Sequence, residues 1–188
     1  MTLTALLLTG GLSSRMGREK STLEFAGGIL WARQIALLTE LRPQELWISS
    51  RTSPPWLPPS LEVVLDNPPS RGPLSGIVAA LSRMQTTHLL ALAVDLPRMT
   101  SQHLLKLLDL ARPGCGVVPR NQAYLEPLAA IYPKEANGRA ISALASQDVS
   151  MHSFARGLLE QRLLREYILV AAEAPFYFNV NTPADLQP

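Results

Sequence analysis

Residues Leu3 to Leu8 form a short apolar run that stops at Gly10-Gly11. Six residues is a strand's length and too short for a typical helix. The glycine pair ends either structure, so the run is expected to be a buried strand opening into a loop. The pattern recurs. Glu45 to Ser49, Leu61 to Leu65, His88 to Val94, Gly116 to Val118 and Leu128 to Tyr132 are further strand candidates, as is Leu163 to Val170, which Arg165 and Glu166 interrupt. Helical segments separate them. Leu30 to Leu41 carries Leu30, Trp31, Ile35, Leu38 and Leu41 at helical spacing. Pro73 to Met84 has proline at its start, Thr100 to Ala111 has Thr100 or Ser101 as a cap, and Ser150 to Gln161 follows. Strands alternating with helices of about a dozen residues predict parallel βαβ units, and apolar strands predict a sheet covered on both faces. The expected fold is therefore α/β, a mostly parallel sheet with helices on both faces. At 188 residues, against roughly 150 per domain, residues 1–188 are expected to form one domain.

Composition narrows the function classes. The 17 Lys and Arg against 15 Asp and Glu leave a net charge of +2 with no basic block, which makes no case for a nucleic-acid binder. The single cysteine, Cys115, excludes an internal disulfide and a cysteine-rich zinc site. It is expected to be a buried, unreactive thiol. His88, His103 and His152 are scattered and match no metal motif. The apolar run Ala5 to Leu8 is far below the ~20 residues of a membrane span, and no basic segment precedes it as in a secretory signal, so a cytoplasmic, reducing setting without membrane contact is expected. Pro54-Pro55-Trp56-Leu57-Pro58-Pro59 reads as a stiff surface connection.

In an open α/β sheet, ligands sit beyond the carboxyl ends of the strands. Gly10-Gly11, Ser50-Arg51, Asp66 and Asp95 follow strand candidates there, and two of the chain's five aspartates are among them. Leu8, Thr9, Gly10, Gly11, Ser13, Arg15, Gly17 and Lys20 form one loop. Glycine lets backbone amides approach a phosphate, Arg15 offers a planar fork and Lys20 a point charge. Lys20 is one of only three lysines, so its place in this loop is informative. The spacing matches neither G-x-x-x-x-G-K-[ST] nor G-x-G-x-x-G.

The loop, Leu8-x-Gly10-Gly11-x-Ser13-x-Arg15-Met16-Gly17-x-x-Lys20, resembles the signature of the nucleotidyltransferases related to molybdenum cofactor guanylyltransferase. Asp66 with Gly72-Pro73-Leu74-Ser75-Gly76, then Asp95-Leu96-Pro97, Glu126-Pro127-Leu128 and Asn179-Val180-Asn181-Thr182-Pro183-x-Asp185-Leu186 resemble the later motifs in the same order. Two departures are Thr9 in place of alanine and Glu19 in place of aspartate.

The resemblance implies a Rossmann-like domain, Mg²⁺, and transfer of GMP from GTP to the terminal phosphate of molybdopterin with release of pyrophosphate. It implies Arg15, Lys20 and Asp95 as catalytic residues, with Asp95 holding the metal. Leu8, Thr9, Gly10, Gly11, Ser13, Lys20, Asp66 and Asp95 would line the nucleotide, and Gly72, Gly76, Asn179 and Asn181 the acceptor. Asn179 and Asn181 favour the guanylyl over the cytidylyl branch. A molybdoenzyme or its chaperone would be the downstream partner. Blander readings stand beside several of these: Asp66 as a turn cap, Gly72 and Gly76 as a tight loop and a close helix contact, Asn179 and Asn181 as a turn with an asparagine cap. At the level of function, the alternatives are a CTP-dependent or sugar-phosphate nucleotidyltransferase, or a non-catalytic protein that delivers cofactor.

Overall fold

A computed structural model of the chain describes residues 1–9, 20–66 and 69–186. In chain order, β1 (Leu3–Leu8) leads to a small ribbon, β2 (Glu24–Phe25) with β3 (Gly28–Ile29), and to α1 (Leu30–Glu40). Next come β4 (Glu45–Ser50), β5 (Glu62–Leu65), α2 (Pro73–Arg83), β6 (His88–Ala93) and α3 (Ser101–Leu110). The second half holds β7 (Gly116–Asn121), β8 (Tyr124–Leu125), β9 (Ala129–Pro133), α4 (Asn137–Ala145), α5 (Met151–Glu160) and β10 (Leu164–Ile168).

The main sheet runs β10-β7-β9-β6-β1-β4-β5, with β8 paired to β7. Strands β1, β4, β5 and β6 pair in parallel, as do β7 and β10, whereas β9 is antiparallel to both β6 and β7. The mostly parallel α/β fold is as expected. The antiparallel strand arises because the chain turns back through the β7–β8 hairpin and β9 fills the gap beside β6. Helix α4 was not anticipated; its Asn-Gly-Arg start carries no apolar stripe, and only Ala140 is buried.

All six residues of β1 and of β6 are buried, which their composition demands of central strands. Alternate side chains enter two cores. Leu6 and Leu8 join the layer packed by α2, α4 and α5, while Ala5 and Leu7 join the layer packed by α1 and α3. Thr100 caps α3, its hydroxyl accepting from the His103 amide at 3.2 Å. Trp56 of the proline-rich connection stacks on Trp31 of α1 at 4.8 Å, so that segment is pinned to the helix layer. Cys115 is half-buried rather than buried, because it closes a turn with Arg112 before β7 begins. His88 starts β6 at the edge away from the strands' carboxyl ends, bonded to Thr87 and to the Arg112 carbonyl, and burial lowers its pKa. Among the described residues no helix is long and apolar enough to cross a membrane.

Two glycines test this packing in opposite directions. A Cβ on Gly116 would meet the Ile131 carbonyl oxygen at 1.9 Å, a backbone atom of the neighbouring strand, whereas a Cβ on Gly157 of α5 meets nothing within 4 Å. Gly116→Ala should lower unfolding free energy by ~1–3 kcal/mol, and Gly157→Ala should raise it by ~0.5–1 kcal/mol, both read from urea denaturation.

Candidate functional site

The parallel register brings four chain segments to one edge. Leu8 lies level with Ser49 on one side and Ala93 on the other. Beyond the strands, Val94 N–H donates to the Leu8 carbonyl at 3.1 Å, and Asp66 N–H to the Ser50 carbonyl at 3.1 Å. Thr9 follows Leu8 and is almost fully buried; its amide and hydroxyl both donate to the Ser49 carbonyl, at 3.1 and 2.9 Å. The hydroxyl that distinguishes threonine from alanine here is thus consumed inside the fold. The expectations for Gly10, Gly11, Ser13 and Arg15 fall outside the described residues.

Lys20 opens a 3₁₀ turn, Lys20–Thr22, and reaches back across this edge. Its Nζ donates to Asp95 Oδ2 at 2.9 Å and to Asn181 Oδ1 at 3.0 Å. The Lys20 and Asp95 side chains are only 16% and 17% exposed, so their attraction is less screened than that of a surface pair. Asn181 arrives on an extended stretch. Val180 is fully buried and its N–H donates to the Asp95 carbonyl at 2.9 Å, which leaves Asn179 and Asn181 exposed on either side of it.

Asp185 locks that stretch. Its Oδ2 accepts from Asn181 N–H at 2.9 Å, Thr182 N–H at 2.7 Å and Thr182 Oγ1 at 3.0 Å, and these donors hold its carboxyl below the usual range. A short 3₁₀ helix, Pro183–Leu186, follows that stretch. The capping side chain is the aspartate reaching back, not an asparagine. Sequence reasoning gave Asp185 no role; its position three and four residues past Thr182 and Asn181 was the available signal.

Asp66 sits three strands from Asp95, about 14 Å away at ~4.8 Å per strand. Its carboxylate accepts from Ser49 Oγ at 3.1 Å and Ser70 Oγ at 2.6 Å. Gly76, on α2, presses against this pair: a Cβ there would lie 1.9 Å from Ser49 Oγ and 3.2 Å from Asp66 Oδ1. Close packing therefore accounts for Gly76. Gly72 precedes α2 at φ +86°, a backbone conformation suited to glycine, with nothing within 4 Å of where its Cβ would be.

Glu126 stands at the same edge. The start of β9 lies beside the end of β6, where Ala93 N–H donates to the Leu128 carbonyl at 2.8 Å. Burial pushes the Glu126 carboxyl up to about 7, opposed in part by a hydrogen bond with Asn121. Burial raises the pKa of Tyr177, whose hydroxyl lies 2.8 Å from His103 Nε2. Sequence reasoning placed Glu126 only within a motif, because burial of a carboxylate is a tertiary property.

Among the described residues no group of three or more His, Cys, Asp or Glu gathers as a metal cage. The Asp95 carboxylate and the Asn181 amide oxygen share Lys20 and are hard oxygen donors. Such a sparse set fits Mg²⁺, which keeps several waters and completes its shell with substrate phosphates.

Residues 5–166 match the family described as MobA-like NTP transferase domain. The chain is 34% identical over 186 residues to a probable molybdenum cofactor guanylyltransferase of Opitutus terrae, covering 97% of this chain and 92% of that one. It is 31% identical to a protein of the same name from Pelotomaculum thermopropionicum, covering 97% and 89%. The fold superposes with a TM-score of 0.75 on molybdopterin-guanine dinucleotide biosynthesis protein A from Archaeoglobus fulgidus, at 24% identity over 98% of this chain and 95% of that one.

The raised pKa of Glu126 makes stability pH-dependent. The folded chain binds this proton more tightly than the unfolded chain does, so the stabilisation present below the unfolded value near 4.5 is lost as pH rises through about 7. Glu126→Gln should exceed the wild type in stability at pH 8, by up to about 3 kcal/mol, and the gap should close at pH 4.5 and below. Urea denaturation at the two pH values reads the difference.

Proposed function

The chain belongs to the MobA-like NTP transferase family, and on that premise we propose that it transfers GMP from GTP to the terminal phosphate of molybdopterin. The observation that carries the reading is the contact of Lys20 with Asp95 and Asn181 at the carboxyl edge of the sheet. It joins a cation, a carboxylate and an amide from three distant parts of the chain where an α/β fold receives its ligand.

The reaction joins two anions. An oxygen of the acceptor phosphate attacks the α-phosphorus in line, a new P–O bond forms, and the bond from the α-phosphorus to the bridging oxygen breaks, its electron pair leaving with pyrophosphate. The protein's task is alignment and neutralisation. In this scheme Lys20 turns from Asp95 to the α-phosphate as charge builds there. Its two present acceptors hold the ammonium in place until the nucleotide arrives. Arg15 takes the β- and γ-phosphates, and the amides of Gly10 and Gly11 line the same chain of phosphates, as the family motif implies.

Asp95 is the residue that would hold Mg²⁺, which, when bound, offsets charge on the phosphates. Asn181, which bonds Lys20, and Asn179, exposed on the other side of the buried Val180, are the groups the family motif offers for orienting the acceptor. Asp66, about three strands along, stands at the distance where the nucleoside end of an extended nucleotide would fall. Gly72 leaves open space before α2 that the acceptor or the base could use. Gly76 contributes through Ser49 and Asp66, whose positions depend on its missing side chain. The acceptor phosphate is already ionised near neutral pH, so no histidine is required.

Incubation with molybdopterin, magnesium and each nucleoside triphosphate, followed by release of pyrophosphate, tests the assignment. GTP should be the preferred substrate, and Lys20→Ala and Asp95→Ala should each slow turnover by about 10²-fold or more while melting temperature stays within a few degrees. Preference for CTP would reject the guanylyl assignment, and near-wild-type rates in either variant would reject the roles of Lys20 and Asp95.

A further inference from the structure

Gln34 lies in the buried stripe of α1, one turn after Leu30 and one turn before Leu38. Both leucines are fully buried, and Gln34 is 2% exposed. An apolar side chain would suit this position on packing grounds. Instead the Gln34 Nε2 donates to the Leu96 carbonyl at 2.6 Å. Its Oε1 is buried and accepts from no donor among the described residues. The bond is not needed to satisfy the Leu96 carbonyl, which already accepts from Met99 N–H at 3.1 Å. The packing of α1 therefore does not by itself explain an amide at this position.

What it does reach is the residue after Asp95. The link between Leu96 and Pro97 has no N–H, so the Leu96 carbonyl is the only hydrogen-bonding group through which the fold can grip that link. The carbonyl before it, that of Asp95, accepts from Val180 N–H at 2.9 Å. Two successive carbonyls are thus held by two different elements, α1 and the C-terminal stretch. The Asp95 carboxylate, carried on this held backbone, meets Lys20 at 2.9 Å. We propose that Gln34 is a positioning residue for Asp95, fixing the backbone on which that carboxylate is mounted. This inference rests on the role of Asp95 in the reading above.

The test is made on the full chain with two variants. Gln34→Met keeps the length of the side chain, loses the donor and removes the unsatisfied acceptor. Gln34→Asn keeps an amide but falls a methylene short of Leu96 and leaves a gap. Both should lower kcat for pyrophosphate release with GTP and molybdopterin by about tenfold or more, with KM for GTP changed by less than about twofold. Melting temperature should move the other way between them, at or above wild type for Gln34→Met and below it for Gln34→Asn. Wild-type kcat in Gln34→Met, or kcat losses that follow the losses of melting temperature, would assign Gln34 to packing and overturn the proposal. Asp95→Asn is measured alongside: if it is fully active, the reading of Asp95 beneath the proposal fails instead.

Discussion

Strand β1 has parallel neighbours on both edges, and the site depends on that register. With Leu8 level with Ser49 and Ala93, β1, β4 and β6 end at nearly one height, and Thr9, Ser50 and Val94 stand side by side with Asp95 one residue beyond. A slip by one residue would turn every β1 side chain to the opposite core. The apolar burial of β1 and β6 therefore fixes the register on which the polar edge depends.

The polar groups at this edge are held by one another and by backbone. Thr9 bonds to β4, Asp66 to two serines, Asp95 to Lys20, and Asn181 to Lys20 while its own amide is held by Asp185. Such an arrangement presents charges in fixed places, which favours a ligand whose charge is itself spread along a chain of phosphates. The close contact of Gly76 with Ser49 extends the same rigidity into helix α2. Glu126 differs from the rest: its carboxylate is half-buried, and its proton is held more tightly for that reason.

Legibility followed the range of the interaction concerned. Strand β1, helix α1 and helix α3 could be read because their apolar spacing is local, and Thr100 could be read as a cap because capping spans three residues. Helix α4 could not, since only one of its residues is buried. The reversed direction of β9 was likewise out of reach. An apolar strand reads the same in either direction, and only its neighbours β6 and β7 decide which way it runs. Gly76 could be read as a close helix contact, but its partner could not be named, because that partner is the Ser49 side chain of another strand.

By itself, the order of residues determined that short buried strands alternate with amphipathic helices and that Asp95 closely follows a strand, because each follows from spacing within a few residues. Only the tertiary structure decided that Lys20, Asp95 and Asn181 meet, across separations of 75 and 161 residues from Lys20, and that Gln34 bonds the Leu96 carbonyl and Val180 that of Asp95. These contacts are made by strand register and by the docking of the C-terminal stretch, and no local pattern of side chains encodes either one.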